Sequence, residues 1–147
     1  MPIMERLTQD MKTAMKNKDK TRLSVIRMVR SSMKNEEIKL QRNLTEEDAL
    51  GILSRELKQQ KDSLQEFEQA GRDDLAAKAK AEIAILEDYL PEPLTEEEIH
   101  SIVREAIQKS GASSKADMGK VMKLVMPQVK GRADGKAVNR TVLEMLQ

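Results

Sequence analysis

Leu90-Pro91-Glu92-Pro93-Leu94-Thr95-Glu96-Glu97-Glu98-Ile99 decides the fold of this 147-residue chain. Each proline ring fixes φ and removes a backbone donor, and it pushes the residue before it out of the helical region. A helix arriving from the N-terminal side must therefore stop before Pro91. Thr95 then supplies a side-chain cap with Glu98 three residues on, and Leu94 is placed to staple against Ile99, so a new helix starts at once. A stop, a proline pair and a start within ten residues mark a joint between domains spanning 1–90 and 94–147.

Upstream of the joint, apolar residues recur at helical spacing. Met4, Leu7, Met11, Ala14 and Met15 predict a helix over 3–17, broken at Asn17-Lys18-Asp19. Leu23, Ile26, Val29, Met33 and Leu40 predict a second, ending near Asn43. Thr45 and Asp48 form a capping box that opens a third, with a seam of Leu50, Leu53, Leu57, Gln60, Leu64 and Phe67. Gly71 ends it in the C′ role, and Asp73 or Asp74 opens a fourth with the stripe Leu75, Ala79, Ile83, Leu86 and Leu90. About three heptads interrupted by Gln60 predict an antiparallel hairpin rather than a long coiled coil.

Downstream, Ile99, Ile102, Val103, Ala106 and Ile107 face a core until Gly111 ends the helix. Ser114 with Asp117 reads as a further capping box, before a short helix bearing Met118, Val121, Met122 and Val125. Pro127 is expected to close that helix or trim its last turn. Asp134 caps the last helix, with Val138, Val142, Met145 and Leu146. The expected fold is all-α: an N-terminal four-helix region of helical hairpins, a proline-containing linker and a small C-terminal three-helix domain.

Composition agrees with that class and narrows the function. Aromatic residues make up 1% of the chain and charged residues 35%, with no Trp and no Cys. Leu, Met, Ala, Glu and Lys favour helices. The missing thiols exclude disulfides and thiolate metal sites and suit a reducing compartment. No apolar run approaches the roughly 20 residues of a membrane span, and the start lacks the order of a signal peptide. A cytoplasmic protein is expected, with no membrane partner.

The usual catalytic constellations do not emerge either. The single histidine, His100, falls in the second turn of a helix, on its expected exposed flank. Glu96-Glu97-Glu98 and Asp73-Asp74 lie in first turns, where acids complement the helix dipole. Gly119-Lys120 lacks the upstream glycine of a phosphate loop, Ser114 standing in its place. The ten Met residues fall mostly on helix stripes and read as core. No catalytic residue, metal ligand or cofactor is assigned, and no turnover is expected of the isolated protein.

Charge is the remaining signal. The net charge of +1 hides a segregation: residues 1–43 carry 11 Lys/Arg against 5 Asp/Glu, 44–109 carry 8 against 17, and 110–147 carry 7 against 3. Two basic ends around an acidic middle suit an anionic partner touched at both ends. In the last domain Lys120 and Lys123 share one helix face, Lys136 and Arg140 share another, and Lys130-Gly131-Arg132 lie in the turn between, with Gly135 beyond. Cations on three neighbouring elements, together with backbone N–H groups at a glycine-bearing turn and helix start, suit phosphates. Without aromatics for base stacking, the implied mode is backbone and shape recognition of folded RNA. An adaptor that docks a helix of another protein through Met-rich stripes is the alternative.

Ser114-Lys115-Ala116-Asp117-Met118-Gly119-Lys120-Val121-Met122 and Val129-Lys130-Gly131-Arg132-Ala133-Asp134-Gly135-Lys136 also carry a resemblance, as do Tyr89-Leu90-Pro91, Leu94 to Ile99 and Gly111-Ala112-Ser113. The chain closely resembles the C-terminal tail of the B subunit of tRNA-dependent amidotransferases, and still more the free-standing YqeY-like proteins built from that tail. The resemblance covers essentially the whole chain and is strongest from Tyr89 onward. It implies a non-catalytic module for tRNA, since the similar tail is assigned contact with the outer corner of tRNA and a like domain extends some glutaminyl-tRNA synthetases. The matching basic and glycine positions are Lys120, Lys130, Gly131, Arg132, Gly135 and Lys136. Carbon–nitrogen ligase chemistry, with glutamine as amide donor, belongs in that family to a catalytic portion with no counterpart in these residues. An accessory role beside such a ligase is therefore a third reading.

Overall fold

The computed structural model describes residues 1–146 and is all-α, with no strand among them. The helices are α1 (Ile3–Lys16), α2 (Lys20–Leu40), α3 (Glu46–Gln69), α4 (Asp73–Glu87), α5 (Glu96–Ser110), α6 (Met118–Val129) and α7 (Gly135–Met145), with a 3-10 turn at Lys115–Asp117. Packing divides the chain into two compact units, Met1–Leu90 and Pro91 onward.

In the first unit α3 and α4 form an antiparallel hairpin joined by a Schellman turn. Gly71 sits at φ +69, its N–H reaches the Glu68 carbonyl at 3.2 Å, and the Arg72 N–H reaches Phe67 at 2.9 Å. The Thr45–Asp48 capping box forms as expected. Arg42 binds the same carboxylate at 2.6 Å and holds it well below the usual carboxylate range, with the Thr45 backbone N–H adding to the effect. α1 has no side-chain cap of its own; the Ile3 N–H instead donates to Glu46 of α3 at 3.0 Å.

Two local expectations need correction here. α2 ends at Leu40 rather than near Asn43, because Gln41 adopts a left-handed conformation at φ 55. Asp73 opens α4 as expected, preceded by Arg72, whose side chain pairs with Asp74 at 3.2 Å. The seam of α3 turns toward Ala49, Ile52, Leu53 and Glu56, leaving Leu50, Leu57, Leu64 and Phe67 half-buried. The buried Glu56 accepts a 2.6 Å hydrogen bond from Ser32 of α2.

Leu7, Ile26, Met33, Leu53 and Leu86 fill the centre of this unit, and Tyr89 closes it. The Tyr89 hydroxyl donates to Asp10 Oδ2 at 2.5 Å, and the Arg6 guanidinium lies 4.8 Å from the ring centroid. Arg6 also donates to the Asp88 carbonyl at 2.9 Å. Burial first, then the Asp10 carboxylate, raises the phenol above its ordinary range.

The second unit packs α5, α6 and α7 around Ile99, Val103, Ala106, Val121, Val125, Val129, Val138, Val142 and Leu146. Thr95 and Glu98 form their capping box, and Gly111 ends α5 at φ +68. The expected Ser114–Asp117 box does not form. Lys115–Asp117 is a 3-10 turn, and the Asp117 carboxylate reaches back to the Ser113 N–H at 3.0 Å. Pro127 does not end α6, which continues to Val129. Its ring faces solvent, while Val129 is drawn into the core and the Lys130 N–H still bonds Met126 at 3.0 Å.

Candidate nucleic-acid interface

On α6, Val121, Val125 and Val129 point into the core, so the helical repeat turns Lys120 and Lys123 directly outward. On α7, Val138 and Val142 are buried, and Lys136 with Arg140 occupy the opposite, exposed face. These four cations are solvent-facing. Lys120 makes a long 3.8 Å contact with Asp117; Lys123, Lys136 and Arg140 have no acidic partner among the described residues.

Lys130, Gly131 and Arg132 are placed differently. All three are half-buried in the turn between α6 and α7. Gly131 takes φ +79, and the Arg132 and Ala133 N–H groups both bond the Val129 carbonyl, at 2.9 and 3.1 Å. The Arg132 carbonyl accepts the Leu94 N–H at 2.8 Å, and its Nε donates to the Glu92 carbonyl at 3.2 Å. Arg132 thus ties the segment ahead of α5 to this turn. A shallow depression of about 420 Å³ lies beside it, lined also by Leu94, Ser101 and Ile102.

An aspartate precedes each of the two helix starts. Asp134 caps α7 by accepting the Lys136 N–H at 3.2 Å, and Asp117 stands before α6, its carboxyl lowered mainly by the Ser113 N–H. At α7 the Lys136 N–H is taken by Asp134, whereas the Asp117 carboxylate turns back to the Ser113 N–H and caps no N–H of α6. Gly135, the first residue of α7, has no positive φ, and a Cβ there would meet nothing within 4 Å. The exposed side chains of α6 and α7 offer an anion positive charge.

No group of three or more His, Cys, Asp or Glu suited to a metal occurs among the described residues. His100 lies half-buried on α5 rather than on an exposed flank. The methionines are mostly interior: Met33 is buried, and Met4, Met11, Met118, Met122, Met126 and Met145 pack against the two cores. The exposed large apolar residues, Met1, Met15, Ile38, Leu40, Leu124 and Leu143, are scattered over several elements.

A family model described as Yqey-like protein matches residues 4–146. The chain belongs to the YqeY-like family. Among its relatives is Altered inheritance of mitochondria protein 41, mitochondrial, of Pyrenophora tritici-repentis, 32% identical over 148 residues that cover 98% of this chain and 81% of the relative. The protein of the same name from Saccharomyces cerevisiae is 31% identical over 133 residues, covering 90% and 70%. That from Kluyveromyces lactis is 42% identical over 84 residues, covering 56% and 45%. The names of those relatives assign them to mitochondria, and in this YqeY-like chain no described helix is long and apolar enough to cross a membrane.

Proposed function

We propose that this YqeY-like protein is a non-catalytic accessory module that contacts tRNA through the outward faces of α6 and α7. The observation that carries the reading is the set Lys120, Lys123, Lys136 and Arg140. These are cations turned away from the core, and three of them have no acidic partner. Charges that do nothing for packing remain available to phosphates, and the likeness to the amidotransferase B-subunit tail makes tRNA the fitting polyanion. Delivery of tRNA to a glutamine-dependent carbon–nitrogen ligase, with catalysis on the partner, is the process that likeness favours. Lys130 and Arg132 add charge from the turn, Gly131 serves its geometry at φ +79, and Gly135 opens α7. The expectation of a cytoplasmic protein belongs to this proposal, and cell fractionation placing it in an organelle would correct it.

Filter binding to bulk tRNA at two salt concentrations tests the reading. Micromolar or weaker affinity, falling steeply with salt, is expected from counterion release. Changing Lys120, Lys123, Lys136 and Arg140 to Gln should lower the salt slope by roughly 0.7 to 0.9 per lost contact. No salt-sensitive binding by the parent, or unchanged binding by a folded variant, would overturn it. One observation then favours a protein-binding adaptor: Leu124 and Leu143, each 39% exposed, lie on these same two helices.

A further inference from the structure

Helix α2 carries the largest net positive charge of the seven α-helices. From Lys20 to Asn35, sixteen consecutive residues hold five cations and no acid. Two of the five serve the fold: Arg22 pairs with Asp19 and Asp88 at 3.6 and 3.7 Å, and Arg30 donates to the Met11 sulfur at 2.7 Å. The other three, Lys20, Arg27 and Lys34, are exposed and have no hydrogen-bond or ion-pair partner among the described residues.

Their spacing places them on one line. Seven residues are just under two helical turns, so the three cations lie nearly above one another, about 10 Å apart and about 21 Å end to end. Ser24 and Ser31, also exposed, lie along the same ridge and add hydroxyl donors. The opposite face, Val25, Ile26, Val29 and Met33, is buried and fixes the ridge outward. On α3, by contrast, the cations Arg55, Lys58 and Lys61 share the helix with the exposed acids Asp62, Glu66 and Glu68.

We infer that this ridge of α2 is a second phosphate-contacting surface, through which the first unit tracks the backbone of the RNA bound by the second. The inference rests on the RNA reading above and adds a site in the other unit. An extended row suits a polymer backbone rather than a single phosphate group. Between Lys20 and Lys34 the ridge carries only hydroxyls and cations, and its first apolar residue is Ile38. An anionic membrane surface would instead favour apolar residues among the charges.

The test compares three full-length variants with the parent, against bulk tRNA and against vesicles of anionic phospholipid. The first changes Lys20, Arg27 and Lys34 to Gln. The second changes the same number of cations off the ridge, Lys58, Lys61 and Lys78, to Gln. The third is the α6–α7 quadruple variant. The ridge variant should bind tRNA roughly tenfold more weakly at low salt and lose about two to three units of salt slope, while the off-ridge variant stays near the parent. Each must keep the parent's helical circular dichroism; should the ridge variant unfold, the single changes Arg27→Gln and Lys34→Gln, about one unit of slope each, replace it. If the ridge variant binds tRNA like the parent while the α6–α7 variant does not, the ridge inference falls and the RNA reading stands. If the parent shows no salt-sensitive tRNA binding, both fall. Equal losses from ridge and off-ridge variants would reduce the effect to net charge, and loss of vesicle binding alone would reassign the ridge to a membrane; either overturns the inference.

Discussion

Polar groups reach into the core of the first unit, where Tyr89 is held by Asp10 and Glu56 by Ser32, whereas every buried residue of the second is aliphatic and most are valine. The difference separates two ways of specifying a helical packing. Hydrogen bonds between α1 and the end of α4, and between α2 and α3, select one arrangement because a mismatched pairing would strand a buried polar group. Branched side chains on α5, α6 and α7 select by volume, and the unit's polar specificity moves to its edges, at the Thr95 box and the Arg132 tie. Mutations should therefore act on different parts of each unit.

The largest expected effect comes from core truncation. Leu86 is fully buried, so Leu86→Ala should remove about 2 to 5 kcal/mol from the first unit. If the units fold as independent domains, denaturant melts followed by amide hydrogen exchange will show α5 to α7 protected as in the parent. A proportional loss of protection in all seven helices would break the comparison, making the interiors parts of one cooperative structure.

Tyr89→Phe addresses the polar half directly. Losing the hydrogen bond to Asp10 should cost about 1 to 2 kcal/mol, again confined to the first unit. The raised phenol also sets a pH dependence. The folded state keeps the Tyr89 proton while the unfolded chain releases it above the ordinary value of 10.0, so parent stability should fall as pH rises past about 10. Urea melts between pH 8 and 11 should show that fall in the parent and not in Tyr89→Phe. An identical alkaline limb in both would remove Tyr89 from the account.

Caps should have equal weight in both units, which sharpens the contrast by locating it in the interiors. Thr45→Ala and Thr95→Ala should each cost about 1 kcal/mol by thermal melting. The Thr45 cap adds an acid-side response. Because the Asp48 carboxyl is held low by Arg42, its stabilisation is present above the ordinary value of 3.8 and lost as pH falls below it. Asp48→Asn should flatten that acid limb for the first unit and leave the second unchanged.

These caps are also what the sequence made legible. Thr45 with Asp48, Thr95 with Glu98, and the glycines at 71 and 111 each settle their geometry within a few residues, so spacing suffices to read them. The all-α class followed from the same signals. The face α3 buries was not legible, because Leu50 and Leu57 compete with Ile52 and Glu56, and only Ser32 on α2 decides between them. Tyr89 depends on Asp10, 79 residues away in sequence. Pro127 misled because Val129 beyond it is worth burying, and local propensity gives way to packing. In the candidate site, the exposure of Lys120, Lys123, Lys136 and Arg140 followed from helical spacing. The engagement of Arg132 with Glu92 and Leu94 had no local signature. Nor did periodicity single out the α2 ridge, since a row of exposed cations is conspicuous only once the partners of Arg22 and Arg30 are known.

The smallest effects test whether the turn before α7 is built for geometry or for ligand, and they separate two glycines that look alike in sequence. Gly131 stands at φ +79, a conformation in which a Cβ crowds the following carbonyl, so Gly131→Ala should cost about 1 kcal/mol. Gly135 begins α7 outside that region, and a Cβ there would meet no atom within 4 Å. Alanine at 135 removes freedom from the unfolded chain without straining the folded one, so Gly135→Ala should be neutral or stabilising by about 0.5 kcal/mol. The Lys136 N–H is already bonded to Asp134, and the proposed contact is made by side-chain charge, so tRNA affinity should stay at the parent's value. A folded Gly135→Ala protein that lost tRNA affinity would show a phosphate lying close against the backbone at the start of α7. The interface would then be a backbone cradle, and the side-chain cations of α6 and α7 would be secondary to it.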